Sequence, residues 1–525
     1  MPELPGLPFR DEGEGIIQAS TTSTPEIIMN HIATLITNSA ATWTLRKGMT
    51  ALLLAGVCGS ALTTARAASY TFDANTSTTG PQDGSGTWNT TLANFWNGTS
   101  DVQWPNQNTD VAVFGAGAGG GIMTITTGNV TTNGITFATI STTTGTYYQT
   151  LGGTITLAGT DPTITVNATN GGTIRSALVG TSGFIKTGSA GLSIGADADL
   201  SGLSGTVRVD AGAVFLSANS AAATWQINSN TATLALSSNT TVSIGALSGV
   251  AGATLRTAGS TLPTASIGAL NTDSTYAGKI TGTIAITKVG TGTLTLSGSG
   301  NNYTGATTVS QGTLLLSGSA VLTYSTSVEV QSGATLDVSG VTGGVYTFGA
   351  AQFPAQLLKG AGTIKGNSIV NGSLQPGSSP GILSFANNLT LANTTQTTID
   401  LASGTRGTNF DGINVGGALG YDGTLTFSIG AALLNGTYNI FDFASTSGAL
   451  DLVAFSGGVY AGTFVYDGTA LWTASDTNGS GQTFTFDQAS GDLTVVPEPN
   501  SWTLALCGAI FGLLLMRRRK DAARD

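Results

Sequence analysis

The chain has very little of the residue types that carry most protein chemistry. Of its 525 residues, two are cysteine and one is histidine. Cys58 and Cys507 lie in apolar runs near the two ends, and His31 lies upstream of the first run. If processing removes both ends, the remaining chain has no disulfide, no thiol nucleophile, no imidazole base and no His or Cys metal ligand. We therefore expect a protein that is not an enzyme and holds no cofactor.

Charge is also scarce, and most of it has one sign. Only 9% of the residues are charged. Between Ala68 and Val496 the sequence has 9 Lys plus Arg against 20 Asp plus Glu, a balance of −11. Such a surface repels phosphate backbones, so nucleic acid is excluded as a partner.

The rest of the sequence consists of small polar residues and short apolar segments. Its 75 glycines follow no Gly-X-Y period, which excludes a collagen helix. Val, Ile, Leu and Thr alternate with Ser, Thr and Asn over four to six residues at a time. This alternation predicts β-strands joined by Gly and Asn turns.

The N-terminal residues have the order of a secretory signal peptide. Arg46 and Lys47 precede an apolar run over Met49–Leu62, and the small-x-small pattern of Ala65 and Ala67 follows. This order predicts export through the Sec machinery and cleavage by signal peptidase after Ala67. A buried helix is the alternative interpretation of the same run.

The C-terminal residues combine a short motif, an apolar run and a cationic cluster. Trp502–Met516 is shorter than the roughly 20 residues of a stable membrane span, and the cations behind it would stay in the cytoplasm. This order resembles the PEP-CTERM sorting signal of Gram-negative bacteria. The resemblance implies an exosortase as partner, a transient membrane helix, and a final place at the cell surface, the outer membrane or the extracellular matrix. A plain tail-anchored helix is the alternative. The residues of the motif are Pro497, Glu498, Pro499, Arg517, Arg518 and Arg519.

Two stretches of the chain repeat each other. Ile185–Ser217 aligns with Thr287–Ser317 across a two-residue gap, and Val328–Gly340 is a partial third copy. Leu294 and Leu296 alternate with threonines, so one face of that segment is apolar. The matching positions include Lys186 with Lys288 and the structural residues Gly188, Leu192, Gly205, Gly212, Gly290, Leu294, Leu296, Gly305, Gly312 and Leu314.

One repeat unit cannot bury its apolar face alone, so the units must stack. Rungs about 4.8 Å apart would make a continuous core and would satisfy the backbone through neighbouring rungs. The sequence therefore predicts an all-β fold, a right-handed parallel β-helix (β-solenoid) with roughly 20 residues per rung. The signal peptide and the sorting tail would add apolar helices at the two ends. An array of β-sandwiches is the structural alternative.

These features divide the chain into five predicted segments. They are 1–67, the N-terminal extension and signal peptide; 68–182, an N-terminal β region or cap; 183–443, the β-solenoid; 444–495, a C-terminal β segment; and 496–525, the sorting signal with its short transmembrane helix. Segment 68–182 holds Trp88, Trp96 and Trp104. They indicate a cap over the first rung, an aromatic patch that stacks on sugar rings, or an apolar anchor for a partner.

The repeat segments are similar to a known extracellular family. Ile286–Ser319 resembles the autotransporter-associated β-strand repeat, and Leu358 to about Phe443 resembles the end of an autotransporter passenger. The resemblance implies an extracellular β-helix. About 50 residues separate Phe443 from the sorting tail, which is fewer than even a small membrane barrel requires. We therefore expect a passenger-like chain without a translocator of its own.

One serine motif matches a catalytic pattern without its structural context. Gly377–Gly381 (GSSPG) has the spacing of a nucleophile elbow around Ser379. The elbow requires a following helix and a histidine base, and the sequence indicates neither here. A Ser–Lys arrangement with Lys359 or Lys365 stays formally open, but paired Pro-Gly dipeptides favour successive turns.

A glycine-rich segment likewise matches a dinucleotide fingerprint. Gly115, Gly117 and Gly120 follow a strand-like segment, as in nucleotide-binding folds. The fingerprint requires a helix next, because the helix N-terminus binds the pyrophosphate. A strand-like segment follows instead, so we interpret the glycines as a loop.

The densest group of acidic residues is Asp197, Asp199 and Asp210, with Arg208 nearby. Three interpretations fit these residues. They are solvated loop acids, the ligands of a weak Ca²⁺ site, or the paired carboxylates of a polysaccharide-active β-helix. Spacing alone does not choose between these interpretations, although the acids do not follow the calcium-binding nonapeptide pattern.

The sequence as a whole predicts an exported, non-enzymatic cell-surface or extracellular-matrix protein. Its role would be adhesion or a contribution to an exopolysaccharide or biofilm layer, with extracellular polysaccharide as a partner. Two alternatives remain open at this point. They are a polysaccharide-active β-helix enzyme and an autotransporter-like passenger whose barrel is a separate chain.

Overall fold

The short alternating segments of the sequence form short strands. Every regular element that the computed structural model describes is a β-strand. In Thr293–Leu296, both leucines are buried and both threonines are partly exposed, as alternation requires. The described part of the chain contains no helix long and apolar enough to cross a membrane. The described residues are 67–116, 122–139, 147–237, 239–349, 355–377 and 380–498. The predicted terminal helices lie outside them.

Forty-five strands follow one another at intervals of a few residues. The first eleven are β1 (Ser69–Phe72), β2 (Gly86–Trp88), β3 (Ala93–Trp96), β4 (Asp101–Gln103), β5 (Val111–Phe114), β6 (Ile122–Thr127), β7 (Asn129–Thr132), β8 (Gly134–Phe137), β9 (Tyr147–Leu157), β10 (Thr163–Val166) and β11 (Gly172–Val179). The middle group is β12 (Gly183–Thr187), β13 (Leu192–Ile194), β14 (Gly205–Val209), β15 (Ala213–Leu216), β16 (Ser220–Ile227), β17 (Thr233–Leu236), β18 (Thr241–Gly249), β19 (Thr254–Thr257), β20 (Thr264–Ile267), β21 (Ser274–Tyr276), β22 (Lys279–Thr281), β23 (Ala285–Lys288), β24 (Thr293–Leu296), β25 (Thr307–Val309), β26 (Thr313–Gly318), β27 (Ser327–Val330), β28 (Thr335–Val341) and β29 (Val345–Phe348). The last group is β30 (Leu357–Gly360), β31 (Thr363–Lys365), β32 (Asn367–Val370), β33 (Ser373–Pro376), β34 (Ile382–Phe385), β35 (Leu389–Leu391), β36 (Gln396–Leu401), β37 (Gly412–Tyr421), β38 (Thr424–Ile429), β39 (Gly436–Asn439), β40 (Phe441–Gly448), β41 (Leu452–Ser456), β42 (Val465–Tyr466), β43 (Leu471–Ser475), β44 (Gln482–Asp487) and β45 (Asp492–Pro497).

Successive turns of the chain pair in parallel. Thr307 of β25 lies opposite Ile286 of β23 on one side and opposite Val328 of β27 on the other. The turn length here is therefore 21 residues, from 307 − 286 and 328 − 307. Parallel strands that are one turn apart satisfy each other's backbone groups only if the chain coils. The predicted parallel β-solenoid is confirmed, and its handedness stays a prediction.

Most of the parallel strands belong to one of three columns. The first column runs unbroken through β1, β5, β8, β10, β12, β14, β16, β18, β21, β24, β26, β28, β31, β34, β37 and β40. The second runs from the start of β18 through β20, β23, β25, β27, β30, β33, β36, β38 and β41. The third holds β2, β6, β9, β11, β13, β15, β17, β19 and β22, and later β29, β32, β35 and the second half of β37.

Inward-facing aliphatic side chains stack along these columns. Leu294, Leu314, Leu336 and Ile364 lie opposite one another on four successive turns of the first column. Each is at most 1% exposed. Burying one such side chain contributes about 1.5–3 kcal/mol, so the stack is a main source of stability. No single turn could bury these side chains without the turns above and below it.

An aromatic cluster closes the N-terminal end of the solenoid. β3 pairs antiparallel with both β1 and β4, in contrast to the parallel columns. Trp88 and Trp104 are buried there, with ring centroids 5.3 Å apart, and they pack against Phe95 and Phe114. The burial of these two indoles supports the cap and excludes their stacking on a sugar. Trp96 remains partly exposed.

A five-stranded antiparallel sheet lies at the other end. Its order is β39, β45, β44, β43, β42. Phe484 and Phe486 of β44 are fully buried, and they pack against Phe455 of β41 and Phe441 of β40 respectively. The sheet therefore covers the aromatic residues of the last turns with its own.

Parallel pairing extends beyond the segment predicted as the solenoid. β10 pairs with β12 across residue 183, and β38 pairs with β41 beyond residue 443. Neither residue marks a change of pairing within the described chain. The same parallel ladder continues on both sides of residues 183 and 443. The five predicted segment boundaries stay predictions.

Gly312→Ala should be far more damaging than Gly333→Ala. Both glycines have positive φ, at +64° and +79°. A Cβ at Gly312 would lie 2.5–2.7 Å from three carbonyl oxygens of the preceding turn, whereas a Cβ at Gly333 would meet nothing within 4 Å. Left-handed backbone alone costs about 1–2 kcal/mol, so Gly333→Ala should lose about that much and Gly312→Ala at least about 3 kcal/mol. Urea unfolding of both variants measures the difference, and equal losses would contradict it.

Candidate functional site

The predicted repeat residues lie at the corners of the turns and in the core. Leu192, Leu294, Leu296 and Leu314 are buried. Positive φ occurs at Gly188, Gly205, Gly212, Gly290 and Gly312, where the chain changes direction next to a neighbouring turn. A Cβ at Gly305, whose φ is not positive, would lie 2.3 Å from the Ile284 carbonyl oxygen. These residues are spread over several turns, so they build the scaffold and not one pocket.

Only part of the processing and sorting residues belongs to the described chain. Ala67 is exposed, and Ala65 lies outside the described residues. Pro497 ends β45, and the Glu498 amide donates to the Gly481 carbonyl at 2.6 Å. Pro499, Arg517, Arg518 and Arg519 lie outside the described residues, as do Cys58, Cys507 and His31. Their predicted roles stay predictions.

Two lysines of the repeat are buried, although nothing in their sequence pattern indicated it. Lys186 and Lys288 are 0% and 1% exposed. Each lies at an inward position of the first or second column, with Lys288 between Ile267 and Val309 on the neighbouring turns. The alignment of the two lysines was visible in the sequence. Their burial was not, because lysine is almost never found inside a protein without a partner.

Backbone carbonyl oxygens surround each buried ammonium group. Lys288 Nζ donates to the carbonyls of Val289, Gly290 and Gln311 at 2.8, 2.8 and 3.2 Å. Lys186 Nζ donates to the equivalent turn at Gly188 and to the next turn. Burial lowers the pKa of both lysines to about 8. Each lysine thus ties two successive corners together and satisfies carbonyls that face away from the ladder.

The three grouped aspartates do not converge on one point. Asp197 forms a salt bridge with Arg175 at 2.8 Å, and Asp210 forms a bidentate pair with Arg208 at 2.8 and 2.9 Å. Asp199 accepts from the Ser201 amide at 2.9 Å, which lowers the pKa of its carboxyl. Each carboxylate is therefore engaged with its own local partner, and the arrangement favours the loop-acid interpretation.

A polar cleft of about 400 Å³ opens on the second column. Its wall includes Glu329 and Lys359, which form a salt bridge at 3.1 Å, and Asp411. Burial raises the pKa of Asp411 to about 6. Both of its oxygens accept backbone amide protons, from Gly381 at 2.8 Å and from Asp400 at 2.9 Å. The carboxylate fastens a turn to β36, which leaves it poorly placed to act as a general acid or base.

The remaining chemical motifs give no assembled site among the described residues. Ser379, Gly117 and Gly120 lie outside those residues. Gly115 belongs to them, and the next described element is a strand, β6, where a dinucleotide site requires a helix. The described residues contain no group of three or more His, Cys, Asp or Glu side chains able to hold a metal ion.

Rows of hydroxyl groups follow the outer surface of the columns. One row on the first column, named the threonine row here, consists of Thr293, Thr313, Thr335, Thr363 and Ser384 on five successive turns. All five residues are partly exposed. Parallel pairing spaces them about 4.8 Å apart, so they present a regular line of donors and acceptors.

The comparisons with known proteins point to the repeat. Residues 286–316 match the family model of the Passenger-associated-transport-repeat. The adhesin BmaC autotransporter of Brucella suis biovar 1 (strain 1330) is 37% identical over 188 residues, which are 34% of this chain and 5% of that protein. The chain thus spans only a small part of the length of this relative. These matches confirm the autotransporter-associated repeat, and the PEP-CTERM resemblance stays a prediction.

The passenger-associated repeat coincides with the part of the chain that holds the second buried lysine. Residues 286–316 contain Lys288, its carbonyl partners, β24, β25 and most of β26, together with the start of the threonine row. The structure therefore gives the repeat a physical definition. It is about one and a half turns of the coil, because 31 residues are matched and one turn takes 21, with a buried ammonium group at one corner.

Lys288→Met should destabilise the protein although methionine suits an apolar core. The change leaves three carbonyl oxygens without their donor, at a cost of about 2 kcal/mol. Folding lowers the pKa of Lys288 from 10.5 to about 8, so the folded state binds fewer protons between those values. Wild-type stability should therefore rise relative to the variant as the pH rises from about 8 toward 10.5.

Urea unfolding at pH 7 and pH 10 measures both effects. Lys279→Met is the matched control, because Lys279 is exposed on β22, and it should change stability by less than about 0.5 kcal/mol. A Lys288→Met protein as stable as wild type at both pH values would refute the structural role of the buried lysine.

Proposed function

We propose that the protein is an exported, adhesin-like passenger that acts at the cell surface of a Gram-negative bacterium without catalysing a reaction. The observation that carries the proposal is a passenger-type repeat, which here forms about one and a half turns of a long parallel solenoid. The similarity to a segment of an autotransporter named as an adhesin supports the same function. A solenoid of this kind offers a long lateral surface, which suits binding to extended partners.

The chemistry of the outer surface favours a polysaccharide as the partner. The threonine row supplies closely spaced hydroxyl groups that can donate to and accept from the hydroxyls of sugars. Charge is sparse, and four of the exported cations already pair with nearby carboxylates. An exopolysaccharide or biofilm matrix is therefore the partner class that we propose.

The same proposal includes the route to the surface. Signal peptidase would cut after Ala67, and an exosortase would process the tail after Pro499. The mature protein would then remain at the surface or in the matrix. The exported part has no cysteine, so it needs no reducing compartment to keep thiols free, which suits an extracellular location.

Removing hydroxyls from the threonine row should weaken binding to polysaccharide. The double variant Thr313→Val and Thr335→Val keeps shape and strand propensity, while two hydrogen bonds are lost. At about 1 kcal/mol each, the affinity for exopolysaccharide purified from the producing bacterium should fall about thirtyfold. Surface plasmon resonance measures the change.

The matched control is Thr233→Val with Thr254→Val, a neighbouring pair on the third column. It should bind like wild type. If both double variants bind equally well, the threonine row is not the binding surface. If the wild-type protein binds no polysaccharide but still mediates cell adhesion, the partner class is wrong and the adhesin function stands.

Mass spectrometry of the mature protein tests the proposed sorting. The surface-bound form should begin at Ala68 and lack the residues after the Pro-Glu-Pro motif. Replacing Arg517, Arg518 and Arg519 with alanine should leave the tail uncut and move the protein out of the surface fraction. Arg256→Ala, which also removes a cation, should leave processing unchanged. An uncut tail on surface-located wild-type protein would reject the exosortase step.

A further inference from the structure

The N-terminal cap has acidic residues but no basic ones. Between Ala68 and Ile174 the sequence contains no lysine and no arginine. The carboxylates of this region are Asp73, Asp83, Asp101, Asp110 and Asp161. Among the described residues, no cation forms an ion pair with Asp73 or Asp101. Within the part of the chain that the structure describes, no positive charge therefore balances these two groups.

Strand register brings three oxygen-bearing side chains to one face of the cap. Asp73 follows β1, and its amide donates to the Asn94 carbonyl on β3 at 2.9 Å. Asp101 of β4 lies opposite Trp96, two residues along β3 from Asn94. The register between β3 and β4 shifts between Ala93 and Phe95, but β3 pairs regularly with β1. Residues two apart therefore point to the same side here, and Asp73 and Asn94 share the face of Asp101. Phe95, between Asn94 and Trp96, points into the aromatic core on the other face.

Each of the three side chains has a buried oxygen atom without a donor. These atoms are Asp73 Oδ2, Asn94 Oδ1 and Asp101 Oδ1. The other polar atoms of two of these side chains are engaged and fix the orientation. Asp73 Oδ1 accepts from the amides of Asn75 and Gln82 at 2.8 and 3.0 Å, and Asn94 Nδ2 donates to the Thr87 carbonyl at 2.8 Å. Asp73 as a whole is 1% exposed.

Such an arrangement is unfavourable unless a cation or a shared proton compensates the negative charge. Burial raises the pKa of Asp101, and the neighbouring charge of Asp73 raises it further. Two carboxylates and an amide carbonyl that lack donors would each lose hydration without compensation. Carboxylate and amide oxygens are the ligands that Ca²⁺ prefers, and Ca²⁺ accepts mixed, flexible coordination by six to eight oxygens.

We propose that Asp73, Asn94 and Asp101 form a Ca²⁺ site that stabilises the N-terminal cap. Asp73 Oδ2, Asp101 Oδ1 and Asn94 Oδ1 supply the protein ligands, and water or backbone carbonyls complete the shell. The site lies on the outer face of the sheet formed by β1, β3 and β4, away from the aromatic cluster. Its affinity should lie in the range of extracellular calcium modules, about 10⁻⁴ to 10⁻³ M.

Thermal unfolding of the full exported chain tests the site. With about 5 mM CaCl₂ in place of EDTA, the melting temperature of wild type should rise by about 3 °C. Asp101→Asn removes one ligand charge and should abolish the rise. Asp197→Asn is the matched control, because it removes a carboxylate from the other acidic group, and it should keep the full rise. Failure of wild type to respond, or a full response in Asp101→Asn, would overturn the proposal.

Luminescence of bound Tb³⁺ gives a second measurement that does not depend on unfolding. Trp96 lies directly opposite Asp101, so its excitation should sensitise Tb³⁺ in the site. Ca²⁺ should displace the signal, Mg²⁺ should do so poorly, and Trp96→Phe should reduce it. If Asp101→Asn does not fold, this competition in wild type decides, and an absent signal counts against the site.

A shared proton between the two aspartates would give a different result. Because the pKa of Asp101 is raised by folding, its protonation favours the folded state as the pH falls. Wild type in EDTA would then gain stability from acid, Asp101→Asn would lose this gain, and neither protein would respond to Ca²⁺. That outcome would replace the calcium site with a carboxyl–carboxylate pair. Asp83 accepts a hydrogen bond from Tyr148 at 2.9 Å, and Asp83→Asn should leave the Ca²⁺ response intact.

Discussion

The fold depends on hydrogen bonding between successive turns of one chain. Each strand is only a few residues long, and alone it could neither bury its leucines nor satisfy its backbone. Parallel pairing with the turns above and below does both at once, as the stack of Leu294, Leu314, Leu336 and Ile364 shows. This pairing also restricts which residues can occupy the corners between strands. Glycines let neighbouring backbones approach, and the buried Lys186 and Lys288 bind the carbonyls that the corners turn inward.

A stack of turns has two open ends, and this chain covers them with aromatic residues in both cases. At the N-terminus, Trp88 and Trp104 lie among phenylalanines beneath an antiparallel pairing. At the C-terminus, a five-stranded antiparallel sheet brings Phe484 and Phe486 onto the last turns. Antiparallel strands suit this role because they change the direction of pairing and end the parallel ladder. An uncovered end would expose unpaired backbone groups, which could pair with a strand of another chain. The calcium site that we propose would strengthen the first of these caps.

The lateral surface that remains is long, polar and sparsely charged. Its carboxylates serve local structure, as at Asp411, which fastens a turn, and at Asp210, which pairs with Arg208. The polar groups that recur on five successive turns of the first column are hydroxyls, in a line set by the strand register. A binding surface of this kind gains strength from the number of weak contacts along its length, which agrees with an adhesive role better than with a single catalytic centre.

The sequence by itself determined the periodic part of this protein. Alternation in Thr293–Leu296 and the repeated glycines required short strands, and the repeat required stacking. The tertiary structure alone decided the contacts between residues that are far apart in the sequence and lie on different turns. From its sequence, Lys288 would be expected on the surface. In the fold it is buried, because its ammonium group donates to the carbonyls of Gly290 and Gln311. Asp73 and Asp101 are far apart in the sequence, and only the pairing of β3 with both β1 and β4 brings them to one face. Local periodicity can be recognised from residues that are adjacent in the sequence, whereas the burial of a charge depends on which distant residues the fold places around it.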